Sequence, residues 1–204
     1  MDKVIVYNII IAGVGGQGII SVTDIIAQCA MNRGFEVRSF GDYGMARRGG
    51  AVKAHIRIGM GGKIYIPIVT EGSGDLLIGT ELIETVRNSY LLKKNGTIIT
   101  NSQIIHPTGG TKRDKALNSA RLLEFLKGNI ENCLILDGAE LTKQIGPMSL
   151  NMIMLGAGCA TSGFPLSAGK IKGYIKTVYH PHEDVNIKAF EMGYNIIKTQ
   201  NNIK

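Results

Sequence analysis

The sequence predicts an α/β protein: a single three-layer domain over residues 1–204, with a mostly parallel mixed sheet, one β-hairpin and a helical C-terminal region. Three observations carry this. An almost unbroken apolar run at residues 4–12 passes through a glycine loop into a segment with helical apolar spacing. Short β-branched runs then alternate with helical segments, and one of those runs alternates apolar and polar residues. From residue 139 onward only helical patterns remain.

Residues 4–12 are interrupted only by Asn8, as in a strand buried on both faces. In residues 19–33 the side chains of Ile19, Val22, Ile26, Cys29 and Ala30 share a helix face, and Gly34 ends the helix. Residues 36–40 form the next strand. Residues 51–58 place Val52, Ala54, Ile56 and Ile58 on one side and Lys53, His55 and Arg57 on the other. The turn Gly59-Met60-Gly61-Gly62 returns the chain through residues 63–68 as the predicted hairpin. A short strand follows at 75–78, then a helix to about residue 92 with Thr80 as its N-cap. Asn95-Gly96 reads as a turn before a strand at 97–100. A helix within 111–127 and a strand at 133–136 come next. Helices at 139–144, 149–159, 167–178 and 184–200 complete the chain.

Composition narrows the function classes. The 204 residues are 44% hydrophobic and 19% charged, which excludes a disordered chain, and no apolar run has the length of a membrane span. The first apolar run leads into glycines rather than a cleavage site, so a cytoplasmic protein is expected. A formal charge of +7 comes without the basic, aromatic-interleaved stripe of a nucleic-acid binder. Anionic coenzymes, or an acidic partner protein such as a ferredoxin, suit that charge. Cys29, Cys133 and Cys159 are far apart, lie among apolar residues, and read as small core hydrophobes. An iron–sulfur or zinc site needs a compact ligand set, so neither is expected here. His180 and His182 flank Pro181 with no third His or Cys nearby, and the stretch reads as the entry to the last helix.

Two segments carry candidate binding chemistry. Gly13-Val14-Gly15-Gly16-Gln17-Gly18 has the G-x-G-x-x-G spacing between a strand and a helix. There, backbone can approach a phosphate and the helix-start N–H groups can face it. The same glycines could equally serve a tight turn. Gly44-Met45-Ala46-Arg47-Arg48-Gly49-Gly50 pairs two guanidinium forks, suited to phosphate or carboxylate, with glycines that open the backbone. The candidate cofactor-binding residues are therefore Gly13, Gly15, Gly16, Gln17, Gly18, Arg47, Arg48, Gly49 and Gly50. An NAD(P) dehydrogenase would also need an acid ending the second strand. Glu36 begins that strand and Asp42 lies in the loop after it, a poor fit. No catalytic nucleophile or paired catalytic carboxylates emerge.

Three blocks in order, Ile11 to Ile19, Tyr43 to Val52 and His55 to Gly59, resemble the γ-type domain of the pyruvate/2-oxoacid:ferredoxin oxidoreductases. The Gly-Met-Ala-Arg-Arg-Gly-Gly form is most similar to the β subunit of the indolepyruvate oxidoreductases. The blocks at 95–101, 151–157 and 186–193 extend the resemblance over nearly the whole chain, while Phe40-Gly41-Asp42-Tyr43 mixes features of several 2-oxoacid types. The resemblance implies a subunit, inactive alone, of a complex that oxidatively decarboxylates a 2-oxoacid to an acyl-coenzyme A and reduces ferredoxin. It puts thiamine diphosphate and iron–sulfur clusters on partner subunits. To this chain it gives assembly and a share in coenzyme A binding at the two glycine-rich segments. A purely structural subunit is the other reading. Met45, Met148, Met152 and Met154 suggest adaptable contact surfaces, and a homo-oligomer is expected in isolation.

Overall fold

The computed structural model describes residues 5–43, 49–106, 118–181 and 183–201. Six strands form one sheet: β1 (Ile5–Val14), β2 (Glu36–Tyr43), β3 (Ala51–Met60), β4 (Gly74–Gly79), β5 (Leu92–Asn101) and β6 (Asn132–Leu136). Their order is β2-β3-β1-β4-β5-β6. β1, β4, β5 and β6 run parallel, whereas β3 runs antiparallel to both β1 and β2. The helices are α1 (Ile19–Met31), α2 (Leu82–Asn88), α3 (Ser119–Asn129), α4 (Gly138–Ile145), α5 (Leu150–Cys159), α6 (Ala168–Val178) and α7 (Glu183–Asn201).

β1 is the central strand, and Ile9, Ile10, Ile11 and Ala12 are all 0% exposed. Alternation along the strand divides them between two cores. Ile9 and Ile11 meet Ile56, Leu76 and Ile78 beneath α1, α5, α6 and α7. Ile10 and Ala12 meet Leu77 and Ile98 beneath Leu82 of α2 and Leu126 of α3. Burying each isoleucine contributes about 1.5–3 kcal/mol, so a strand covered on both faces is a run of isoleucines and not an alternating one. The predicted three-layer mixed sheet is therefore observed.

α5 is buried from Met152 to Cys159, with little amphipathic contrast. It packs on α7 through two reciprocal glycines. A Cβ on Gly156 would run into the Phe190 carbonyl, and one on Gly193 into that of Ile153. Backbone-to-backbone approach, rather than side-chain interlock, sets this helix spacing.

Three local expectations are corrected. Residues 63–68 do not pair with β3, because β3 already has β1 along one edge and β2 along the other. The hairpin is β2–β3, joined through residues 44–50. Residues 61–69 instead cross one face of β3 as a strap: Arg57 Nη1 donates to the Ile66 carbonyl (2.9 Å), and the Val69 N–H donates to His55 Nδ1 (3.2 Å). Thr80 does not cap α2. Glu81 does, its Oε2 accepting from the Glu84 N–H at 2.8 Å. Asn95-Gly96 is not a turn but lies within β5, where the register against β4 shifts between Gly74 and Leu76. The part of the expected 111–127 helix that lies among the described residues forms α3, and residues 107–117 lie outside them. Met152 and Met154 are core residues rather than contact residues; Met148 is 82% exposed. Met45 lies outside the described residues. Among the described residues, no helix is long and apolar enough to cross a membrane.

His55 tests the strap. Burial, aided by nearby Lys53, holds its pKa down from 6.5 to about 4. The imidazole therefore stays neutral in the fold while the unfolded chain takes up a proton below about pH 6.5. Its contribution is complete above that value and is lost as the pH falls toward 4, a total of up to about 3 kcal/mol. Denaturant unfolding at pH 7.5 and at pH 4.5 should show this loss, and a His55→Asn variant should show a smaller one. Equal losses in the two proteins would refute the role.

Candidate functional site at the carboxyl ends of the strands

β1 ends in the glycine loop. Gly16 and Gly18 have positive φ (98° and 72°), a region that side-chain-bearing residues rarely adopt. Gly13 is required for space, since a Cβ there would collide with the Thr80 hydroxyl and Gln17. Gln17 braces the loop. Its Oε1 accepts from the Val14 N–H (2.9 Å) and the Thr80 hydroxyl (2.7 Å), and its Nε2 donates to the Thr80 carbonyl (3.1 Å). The side chain expected to contact a ligand is thus committed to its own loop. α1 starts at Gly18 without a side-chain cap, so its first N–H groups face outward unsatisfied by any capping side chain.

The second segment joins the first. The Gly15 N–H donates to the Gly50 carbonyl (2.8 Å), and the Gly49 N–H donates to the Gly15 carbonyl (3.3 Å). These bonds extend the β1–β3 ladder beyond Val14↔Ala51. Gly49, at φ 74°, turns the chain into that register. The loop carrying Gly13, Gly15, Gly16 and Gly18 is thus brought together with Gly49 and Gly50. Arg47 and Arg48 lie outside the described residues.

On the other side of the glycine loop a cleft of about 600 Å³ opens over the ends of β1, β5 and β6. Open α/β sheets bind ligands at such a place, where successive crossovers leave in opposite directions. β1 crosses by α1 toward β2, while β4 crosses by α2 toward β5. Asn101 builds the floor. Its Nδ2 donates to the Thr80 carbonyl (3.0 Å), and its Oδ1 accepts from the N–H groups of Gly138 (3.0 Å) and Gln103 (3.3 Å). Glu81, 1% exposed, fixes the lip by accepting from the Ile105 N–H at 3.0 Å. The wall offers Ser21, Gln103, Thr142 and Asn151 among Ile104, Met148 and Leu150, and no described residue lining it is charged. Sequence reading missed Ser21, Thr80, Asn101 and Asn151. The one available signal was polar residues placed directly after buried β-branched runs, as in Ile78-Gly79-Thr80 and Ile98-Ile99-Thr100-Asn101.

Residues 8–196 match the family described as pyruvate ferredoxin/flavodoxin oxidoreductase. The chain belongs to that family. It is 34% identical over 204 residues to the indolepyruvate oxidoreductase subunit IorB of Pyrococcus horikoshii, covering 97% of this chain and 98% of that one. The pyruvate/ketoisovalerate oxidoreductases common subunit gamma of Thermococcus kodakarensis is 27% identical, covering 90% and 92%. The fold is that of the pyruvate oxidoreductase subunit PORC of Thermotoga maritima, with a TM-score of 0.69 at 22% identity, covering 93% and 96%. It also matches a 2-oxoglutarate:ferredoxin oxidoreductase from Magnetococcus marinus, solved with 2-oxoglutarate, coenzyme A and succinyl-CoA bound. There the TM-score is 0.70 at 20% identity, over 95% of this chain and 31% of that longer one.

The thiols of this oxidoreductase-family chain are not poised for chemistry. Burial pushes Cys29 up to about 11 and Cys159 up to about 12, and raises Cys133 as well. Among the described residues no three His, Cys, Asp or Glu side chains are grouped as a metal site. His180 Nδ1 lies 3.1 Å from Glu183 Oε1, and His182 is outside the described residues.

Two measurements check the site. Gln17→Leu should leave the Val14 N–H without an acceptor and the Thr80 hydroxyl with only its longer bond to the Ala12 carbonyl (3.3 Å), and cost about 1–3 kcal/mol in urea unfolding. A loss within error of zero would mean the brace is dispensable. Cys29 and Cys159 should resist an aromatic disulfide reagent at pH 8 in the native protein and react fully in guanidinium. Rapid native reaction of both would contradict their burial.

Proposed function

We propose that this chain is the subunit of a 2-oxoacid:ferredoxin oxidoreductase of the indolepyruvate (arylpyruvate) type that helps to bind coenzyme A. It works with partner subunits that hold thiamine diphosphate and the iron–sulfur clusters, with ferredoxin as acceptor, in the cytoplasm. The reading treats residues 1–204 as one domain of that type, inactive alone. The observation that carries it is the joining of Gly15 to Gly49 and Gly50 beside an uncharged cleft. Coenzyme A has an anionic nucleotide end and a neutral arm with two amides. Arg47 and Arg48 would meet the phosphates, and the glycine loop would add backbone N–H groups. The neutral arm would lie in the cleft, where Ser21 and Gln103 can hydrogen-bond an amide and Ile104 and Leu150 can cover its methyl groups. This chain's residues then bind and orient the acyl acceptor, while decarboxylation and electron transfer take place on the partners.

The nicotinamide reading loses support from the topology. β3 separates β2 from β1, so Asp42 is one strand spacing, about 4.8 Å, farther from the glycine loop than a ribose-binding acid would be. Asp42 also faces Lys53 across the β2–β3 pair.

The test replaces Arg47 and Arg48 by Ala in the reconstituted complex. Each lost charge-assisted contact should cost about 1.5–3 kcal/mol, raising the KM for coenzyme A roughly tenfold to a hundredfold per contact. Decarboxylation of the 2-oxoacid with an artificial acceptor should hardly change. An unchanged KM in an intact complex rejects the coenzyme role, and loss of assembly alone favours the purely structural subunit. Turnover of a 2-oxoacid by the isolated chain would overturn the dependence on partners.

A further inference from the structure

The outer edge of β2 is an unpaired strand edge among the described residues, since β3 is its one neighbour in the sheet. An exposed edge of eight residues, Glu36–Tyr43, invites strand addition unless something blocks it. Its side chains do not block it evenly. Arg38, Phe40 and Asp42 are exposed and alternate along the strand, so all three stand on the same face of the sheet. That face is the one crossed by the strap, because Arg38, Phe40 and Asp42 pair laterally with Arg57, His55 and Lys53. Phe40, 43% exposed, tilts against the His55 ring, and next to it the strap leaves Tyr65 83% and Ile66 58% exposed. The edge and its flank therefore form one contiguous patch with an aromatic centre.

We propose that the occupant of this edge is a second copy of the chain, added antiparallel to β2 across a twofold axis that passes through Phe40. The pattern of charges selects both the partner and the register. A twofold perpendicular to the sheet keeps the same face up in both copies, so only same-face residues can stand opposite each other. Centred on Phe40, Arg38 of each copy faces Asp42 of the other and the two Phe40 rings meet. Centred on Ser39, Glu36 faces Asp42 and Arg38 faces Phe40. Centred on Arg38, the two guanidinium groups confront each other and Glu36 faces Phe40. Centred on Gly41, Phe40 faces Asp42. Like charges oppose the registers centred on Ser39 and Arg38, and the one centred on Gly41 sets an aromatic ring against a carboxylate. One centred on Val37, though it pairs Glu36 with Arg38, overlaps only residues 36–38 of the strand. The Phe40 register matches opposite charges and apolar with apolar over residues 37–43. Arg38 is held along the strand by Glu36 at 2.7 Å. Its guanidinium still has donors left for a second carboxylate. The result is a twelve-stranded sheet running through both copies, with both straps on the same side and the glycine loops left open.

Sedimentation of the full chain over roughly 1–100 µM should give a species of twice 22.0 kDa. Arg38→Asp and Asp42→Arg should each weaken the dimer about tenfold or more, since each replaces two attractions with two repulsions. The double variant should recover the wild-type affinity, and so should an equimolar mixture of the two single variants, because both arrangements restore opposite charges across the axis. Thermal unfolding of each variant confirms that the fold is kept. If a variant does not fold, slowed amide exchange in residues 37–42 of the wild-type dimer, reversed on dilution, reports the same contact. A monomer throughout the range overturns the proposal. So does a dimer indifferent to the charge reversals, or one whose affinity the double variant and the mixture fail to restore.

Discussion

The arrangement of this protein rests on the burial of β1 between neighbours of opposite direction. Ile9 to Ala12 are covered from both faces, and the strand has no freedom to slide, because a one-residue slip would exchange its two sets of isoleucines between the two cores. With β1 pinned, its parallel neighbour β4 carries Thr80 to the glycine loop. Its antiparallel neighbour β3 starts where β1 ends, and so delivers Gly49 and Gly50 to the same place. A wholly parallel sheet would have left the glycine and arginine segments on different connections, without the Gly15–Gly50 bond that joins them.

The polar residues at the strand ends act as joints. Gln17, Thr80, Glu81 and Asn101 are engaged in hydrogen bonds that tie the ends of β1, β4 and β5 to the starts of α2 and α4. Each satisfies backbone groups that a loop at the end of a buried sheet would otherwise leave unpaired, at about 1–3 kcal/mol apiece. In the coenzyme reading proposed above, the binding would fall to backbone N–H groups, to neutral side chains around the cleft and to the arginine segment. Such an inventory can hold and orient an anionic coenzyme with a neutral arm.

The far half of the molecule supports that site from behind. α5 is buried nearly all round, and the reciprocal approach of Gly156 and Gly193 lets α7 lie against it almost backbone to backbone. Leu150 and Asn151, at the start of α5, line the cleft, and Asn151 lies directly against Gly18, so the α5–α7 packing backs the cleft wall beside the glycine loop. The sequence reads residues 149–159 as a helix, and the structure has α5 there. Its small residues, Gly156, Ala157 and Gly158, fit the helix contact found here.

By itself the sequence determined the α/β class, the positions of most strands and helices, the glycine loop and the blocks that identify the family. These follow from periodicity and local backbone chemistry, which act over a few residues. Tertiary structure decided which strands pair. Residues 63–68 have a strand's composition, yet they form a strap, because both edges of β3 are taken by strands distant in sequence. Thr80 has the composition of an N-cap, yet it serves Gln17, because β4 carries it to within hydrogen-bond reach of the glycine loop. Asn95-Gly96 has the composition of a turn, yet β5 absorbs it, because pairing with β4 and β6 outweighs a local preference worth less than the ladder around it. Partner choice in a sheet depends on which hydrogen-bonding edges remain open after the other strands have docked, and no window of neighbouring residues contains that information.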